Sequence, residues 1–421
     1  MVIINTNGDK FCMKKTIKIL IVIILLFLYV YVYNIEVIPS NIVLFEGESL
    51  NIKVATGLSF ENNNSYKTAL VSSSLNKQYV NSVGNNTLSL NLFSKIKIKD
   101  VNVAVIPNTS VVPIGSTIGM KLYTKGVLVV GMSEIETDNN KKVKPFEHSG
   151  IEEGDAIIAV NNKEVSSTDD LINQVNEGNG KKLDIKYMKN NKVLEANIIP
   201  AKTGDKYKIG LWVRDATAGV GTLTFYEPST SMFMSLGHGI VDVDTGEIVN
   251  IASGELVSAS IISIVKGQKD APGEVRGTIS NGNSIGQIYR NTNLGVYGKI
   301  TSTQNLEANN FNEVQVAPRN EIEEGKATIL CQIDNNSPKE YEIMIEKIYV
   351  ENNQDNKSML VKITDKNLLD KTGGIIQGMS GAPVLQNGKL IGAITNVLVK
   401  DPTQGYAVFG DLLIKQMREV Q

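Results

Sequence analysis

The first strong pattern along the chain is an uninterrupted apolar block. Residues 19–35 carry no charged side chain, Lys10, Lys14, Lys15 and Lys18 precede them, and the next lysine is Lys53. A block of this length is the minimum for a helix across a bilayer, and the lysine bias leaves the N-terminus in the cytoplasm. Tyr29, Tyr31 and Tyr33 suit the far interface, where a ring sits in lipid and its hydroxyl in water. No small residue stands between Tyr31 and Val37 for signal peptidase to cut after, so the block reads as an uncleaved anchor. Everything after it is expected outside the cytoplasmic membrane. Next come short apolar runs at 41–45, 50–54, 88–92 and 101–106, broken by the polar loop Glu61 to Ser65; they predict a small β-rich segment.

Between 113 and 200 the pattern alternates between strand and helix. An apolar run over 127–131 predicts a strand. Ser166 or Ser167 is placed to cap a helix whose apolar positions Leu171, Ile172 and Val175 fall at helical spacing. Strands over 183–188 and 193–199 follow, joined by Asn190-Asn191, a hairpin turn. From 206 onward glycine is frequent, apolar runs are short, and helical periodicity is nearly missing before the last eleven residues. That texture predicts a sandwich or barrel. The expected organisation is a basic cytoplasmic N-terminus (1–18), a transmembrane anchor or signal segment (19–35), a small β-rich segment (36–110), an α+β domain (111–200) and a β domain (206–421).

Charge and cysteine usage narrow the chemistry. With 42 Lys+Arg against 44 Asp+Glu, the chain has no basic surplus to displace counterions from nucleic acid. Two Cys and two His are too few and too scattered for a zinc site, and no other cofactor motif stands out. Of the cysteines only Cys331 follows the anchor, so no disulfide can form within the exported part.

The most informative segment is Gly373-Gly374-Ile375-Ile376-Gln377-Gly378-Met379-Ser380-Gly381-Ala382-Pro383. A Ser between glycines, followed by Pro and an apolar strand, is similar to the nucleophile loop of trypsin-like serine proteases. The chemistry needs such a turn to expose Oγ and to aim the N–H groups of Gly378 and Ser380 at one oxyanion. A serine nucleophile needs a base, and His238, in Ser235-Leu236-Gly237-His238-Gly239, is the single histidine after 206. The acid that would orient the imidazole has three candidates, Asp242, Asp244 and Asp365. Met379 stands where digestive proteases carry an Asp that captures a newly freed N-terminus, so that mode of activation is unavailable.

Two resemblances extend this reading. The order Lys125-Gly126-Val127-Leu128, Gly150-Ile151-Glu152-Glu153-Gly154-Asp155-Ala156-Ile157, helix and hairpin resembles a PDZ domain of the protease-associated type. It implies that Lys125, Gly126, Val127 and Leu128 receive a peptide's C-terminal carboxylate, with the strand after them taking the peptide by β-augmentation. The Ser-Leu-Gly-His run, the Gly-Gly-Ile-Ile-Gln-Gly-Met-Ser-Gly-Ala-Pro run and Asp401-Pro402-Thr403-Gln404-Gly405-Tyr406 resemble the stage IV sporulation protein B family over nearly the whole chain. That likeness implies a mainly β protein: anchor, small β segment, PDZ domain and a chymotrypsin-like double β-barrel. It also implies Asp365 as the triad acid beside His238 and Ser380. Its setting would be the space between two membranes of a forming spore. There it would cut itself and a membrane-bound regulator, activating an intramembrane metalloprotease that processes a sigma factor. The competing expectation is a non-catalytic PDZ-type signalling scaffold.

Overall fold

The structure is a computed structural model. It describes residues 18–420 apart from 24, 27–28, 34, 37, 51–53, 55–56, 63–70, 74–76, 80–82, 191, 281–283, 303–311 and 350–355. The described residues between 18 and 36 are helical and nearly all exposed; residues 1–17, and with them most of the basic N-terminus, lie outside the described residues. Among the described residues no helix is long and apolar enough to cross a membrane.

The chain divides into two compact units, the first mainly residues up to Asn108. Its main sheet contains β1 (Asn41–Phe45), β2 (Leu58–Asn62), β3 (Gly84–Leu92) and β4 (Ile96–Ile106), in the order β1-β4-β3-β2. The β1–β4 pair is parallel and the others are antiparallel. Leu44, Leu88, Leu90, Val101, Val103 and Val105 share its core, and Ser89 and Asn91 between them are buried as well.

The second unit holds two barrels and an α+β body. The first barrel is a ring of six strands: β5 (Thr117–Met132), β9 (Leu211–Glu227), β10 (Met232–Ser235), β11 (Ile251–Val265), β12 (Gly286–Thr292) and β13 (Gly295–Ile300). Pairing runs β5-β11-β12-β13-β10-β9 and returns to β5, so no edge is left open. Ile118, Met120, Leu122, Leu223, Phe233, Leu236, Leu256 and Val296 share its interior. The second barrel is a closed ring of β14 (Gly325–Cys331), β15 (Lys339–Ile348), β16 (Met359–Ile363), β19 (Gln404–Phe409), β18 (Lys389–Val397) and β17 (Pro383–Gln386). The two barrels give the mainly β, double-barrel architecture that the family resemblance implies.

The α+β body springs from the first barrel. Residues 117–124 of β5 line the ring, whereas Val127 and Leu128 pair with β6 (Ala156–Val160), which continues to β7 (Leu183–Lys189) and β8 (Lys192–Ile198). Helix α1 (Thr168–Glu177) starts at Ser167, whose hydroxyl accepts the Asp170 N–H while the Asp170 carboxylate takes the Ser167 N–H, a complete capping box. Asn190 turns the β7–β8 hairpin at φ +49, and Asn191 lies outside the described residues. The expected boundary at 111 therefore falls before a strand that barrel and body share: Val112 to Leu122 pack with 223–300, and Val127 onward packs with the body.

Two more helices complete the unit. One is α2 (Lys366–Thr372), which the periodicity did not predict; the other is α3 (Gly410–Val420), the C-terminal helix. Arg418 on α3 grips Glu227 at the end of β9 with both guanidinium nitrogens, one at 2.7 Å. Burial opposes ionisation of Glu227, but the bonds from Arg418 and Thr230 outweigh it and hold the carboxyl below its ordinary value of 4.5. A lowered folded pKa means stability that is complete above 4.5 and lost as pH falls through the folded value. Glu227→Gln should cost about 3 kcal/mol at pH 7, since it leaves a cation without its counter-charge. Urea melts across pH should show that deficit shrinking towards zero as acid protonates the wild-type carboxyl.

Candidate active site

Ser380 and His238 come from different barrels, and backbone geometry brings their loops together. His238 follows β10 through Leu236 (φ +79) and Gly237 (φ +82). A positive φ at leucine costs on the order of 1–2 kcal/mol. It is offset by the side chain, which is 5% exposed and packed in the first-barrel core. From the other barrel, Gly381 (φ +94) lies against this bend: a Cβ there would stand 2.5 Å from the Leu236 nitrogen and 2.6 Å from the Thr222 carbonyl oxygen. Glycine alone permits that approach. Ser380, next in the chain, is thereby set beside Leu236-Gly237-His238.

The hydrogen bonds of the nucleophile turn are specific. The N–H groups of Gln377, Met379, Gly381 and Ala382 go to the carbonyls of Gly273, Ile376, Ile394 and Met379. Those of Gly378 and Ser380 have no protein acceptor among the described residues. Their directions follow from trans peptide geometry, in which C=O and N–H point opposite ways. The Gln377 carbonyl accepts the Val275 N–H at 2.8 Å, so the Gly378 N–H faces away from Val275. The Met379 carbonyl accepts the Ala382 N–H at 2.9 Å, so the Ser380 N–H faces away from Ala382. Thr222 Oγ1 donates to the Gly378 carbonyl at 2.7 Å and fixes the next peptide plane. Met379 is 1% exposed and anchors the turn in the second-barrel core. Ser380 Oγ donates to the Thr395 carbonyl at 2.7 Å.

His238 is half-buried, and its Nδ1 lies 2.9 Å from the Gly239 carbonyl oxygen. A carbonyl only accepts, so Nδ1 carries the proton and Nε2 of the neutral ring has the free lone pair. Two asparagines that motif reading missed bracket the histidine. Asn356 Nδ2 donates to the Gly237 carbonyl at 3.2 Å. Asn291 accepts the Ile240 N–H at 2.8 Å and donates to the carbonyls of Ile240 and Val249 at 2.7 and 3.0 Å. Neither carries a motif signal, because their partners are main-chain groups distant in sequence.

The three acid candidates lie elsewhere. Asp242, 3% exposed, and Asp244 both pair with Arg214, at 2.6 and 2.7 Å. Asp365 is the N-cap of α2: its Oδ1 accepts the Leu368 N–H at 2.9 Å and its own N–H goes to the Glu342 carbonyl. It follows the far end of β16, whose near end adjoins Asn356, so it stands on the order of 20 Å along the strand from the histidine loop. The structure joins the bend that precedes His238 to the Ser380 loop and does not bring Asp365 to the histidine loop.

The peptide edge expected at Lys125, Gly126, Val127 and Leu128 is also occupied. The Lys125 N–H goes to the Asn250 carbonyl at 3.3 Å. On one side Val127 and Leu128 pair with Ile157 and Ala156; on the other, Leu128, Val129, Gly131 and Met132 pair with Arg214, Val213, Trp212 and Leu211. Leu211 and Val213 pack against the core of the body, as alternate residues of a bound peptide would. The chain's own strand fills the edge that β-augmentation requires.

A double barrel with a serine nucleophile turn, joined to a PDZ domain, defines a class, the PDZ-containing serine endopeptidases, and the comparisons agree. Residues 118–199 match the PDZ domain model, and residues 205–414 match the model of SpoIVB peptidase S55. The chain belongs to the SpoIVB peptidase S55 family. It is a serine endopeptidase, which removes the scaffold expectation. Solved structures similar to part of it include the active form of the Rv3671c protease from M. tuberculosis, with TM-score 0.28 and 12% identity, covering 48% of this chain and 74% of that one. The HtrA-type protease AlgW with decapeptide overlaps at TM-score 0.30 and 15% identity, covering 52% of this chain and 55% of that one.

The position of Asp365 yields a sharp expectation. Asparagine caps a helix as well as aspartate, so Asp365→Asn should leave stability and turnover within a few-fold of wild type, while Asp365→Ala should cost about 1 kcal/mol. A triad acid would instead show a loss of about 10⁴ in turnover for the asparagine variant. Melting curves and cleavage rates of the two variants, measured side by side, separate cap from acid.

Proposed function

We propose that Ser380 is the nucleophile and His238 the general base of this peptidase, with the N–H groups of Gly378 and Ser380 as its oxyanion hole. The observation that carries the reading is the peptide geometry of the nucleophile turn, which leaves those two donors, and no others in 377–382, without a protein acceptor. In the reaction Ser380 Oγ leaves the Thr395 carbonyl, passes its proton to His238 Nε2 and attacks the scissile carbonyl. The oxyanion so formed takes the two N–H groups. The protonated imidazole then gives its proton to the leaving amine, and water repeats the sequence on the acyl-enzyme. In this reading the Gly239 carbonyl holds Nδ1–H throughout. Asp365, which the family resemblance would make the acid, serves as a helix cap.

The setting is part of the same proposal. The enzyme works outside the cytoplasmic membrane, tethered by residues 19–35, and cuts itself near the anchor and a membrane-associated regulator during sporulation signalling. Support for the tether is the helical stretch between 18 and 36, where Leu20, Val22, Leu25, Leu26 and Tyr29 are each more than half exposed. Support for the sporulation setting is the family match.

The test uses full-length protein in detergent with a fluorophosphonate, which reports Ser380 attack without needing the natural substrate. Wild type should be labelled at Ser380 and Ser380→Ala not at all. His238→Ala should label on the order of 10² to 10⁴-fold more slowly. N-terminal mapping should find new ends within about residues 36–75 in wild type only, a span whose sequence includes the polar run Glu61 to Ser65. Identical ends in wild type and Ser380→Ala would assign that cut to another enzyme, and an unlabelled wild type would refute the serine mechanism.

A further inference from the structure

Arg214 lies where the body, the first barrel and the histidine loop meet. It sits on β9, opposite Leu128 of the filled PDZ edge and next to the irregularity at Asp215. Its guanidinium reaches the loop that begins just after His238: one nitrogen lies 2.6 Å from Asp242 Oδ2 and the other 2.7 Å from Asp244 Oδ2. Asp242 spends its other oxygen on its own turn, accepting the N–H groups of Asp244 and Thr245 at 3.0 and 3.1 Å. The loop is closed on itself by the Asp242 N–H to the Glu247 carbonyl and the Val249 N–H to the Ile240 carbonyl. A rigid loop held by a forked cation moves as one piece with that cation. Asp242, although 3% exposed, is held below its ordinary pKa because these N–H groups and Arg214 outweigh the effect of burial. On its far side the loop meets the body, where Glu247 Oε2 would lie 3.3 Å from a Cβ on Gly154.

We propose that Arg214 is a positioning residue of the peptidase: from the strand that fills the PDZ edge, it sets the loop that follows His238 and so the position of the histidine. The inference rests on His238 being the base. The geometry makes the PDZ domain part of the active-site scaffold, because Leu211–Arg214 cannot leave the Leu128–Met132 edge without carrying the guanidinium away from Asp242. Neither Arg214 nor the two aspartates touch the reacting atoms.

The experiment compares full-length wild type, Arg214→Ala, Arg214→Lys and Asp244→Ala in saturation kinetics of fluorophosphonate labelling. Asp244→Ala removes one arm of the fork at an exposed carboxylate and guards against an Arg214→Ala protein that fails to fold. Arg214→Ala is expected to lower the maximal labelling rate at least tenfold, with the half-saturating concentration unchanged and a cooperative melt retained. Asp244→Ala is expected to lower it about threefold. Arg214→Lys should recover part of the rate, since an ammonium can meet Asp242 but cannot span both carboxylates. Wild-type maximal rates in folded Arg214→Ala or Asp244→Ala would overturn the proposal, as would a change confined to half-saturation. If His238→Ala labels like wild type, the base assignment falls and this inference with it. A His238→Ala defect alongside normal Arg214 variants overturns the positioning role alone.

Discussion

The site depends on one contact between main chains. Gly381 of the second barrel lies against the Thr222 carbonyl and the Leu236 nitrogen of the first, at a separation that excludes any Cβ. Everything that prepares the serine is arranged around that approach. Thr222 turns the Gly378 carbonyl, the bend at Leu236 presents His238, and the strand after Pro383 roots the turn in the second core. Each barrel is closed, so neither has a free edge through which to slide against the other. The approach of the serine loop to the histidine loop is in effect a property of the seam, and the strain at Leu236 is sustained by the packing of its own side chain.

This explains which parts of the molecule were legible beforehand. Helix Thr168–Glu177 was written locally, in a cap and three spaced apolar residues, and it formed as read with Ser167 as the cap. Strand Asn41–Phe45 also coincides with its apolar run. From 206 onward, by contrast, the short apolar runs conceal a single long strand, Leu211–Glu227. Its exposed small residues, such as Ala216 and Ala218, hide the period where the strand passes from the body to the barrel alongside the same partner strand. Helix Lys366–Thr372 was missed because seven residues are too few to establish a period.

The site was legible as two motifs and no further. A serine between glycines and a histidine between glycines advertise themselves because glycine at a turn is a local requirement. Asp365 illustrates the limit: an aspartate before a short helix looks the same in sequence whether it caps that helix or orients an imidazole. Arg214, Asn291 and Asn356 illustrate the converse. Their roles are made by partners 28 to 119 positions away, which no spacing rule encodes. The covered PDZ edge belongs with them, since a strand's free side is decided by tertiary pairing.

The shared strands have an architectural consequence. The body leaves the barrel along β5 and returns along β9, and these strands are antiparallel neighbours where they cross the boundary, with Tyr123 opposite Ala216. An insertion whose two ends are already paired imposes almost no loop-closure entropy on its host. A tight hairpin turn between those strands would complete the same barrel without the body. The peptidase core and the PDZ domain are thus nested, like an insert grown from the tip of a hairpin, and a modular exchange of one PDZ domain for another needs only that the two stems match in register.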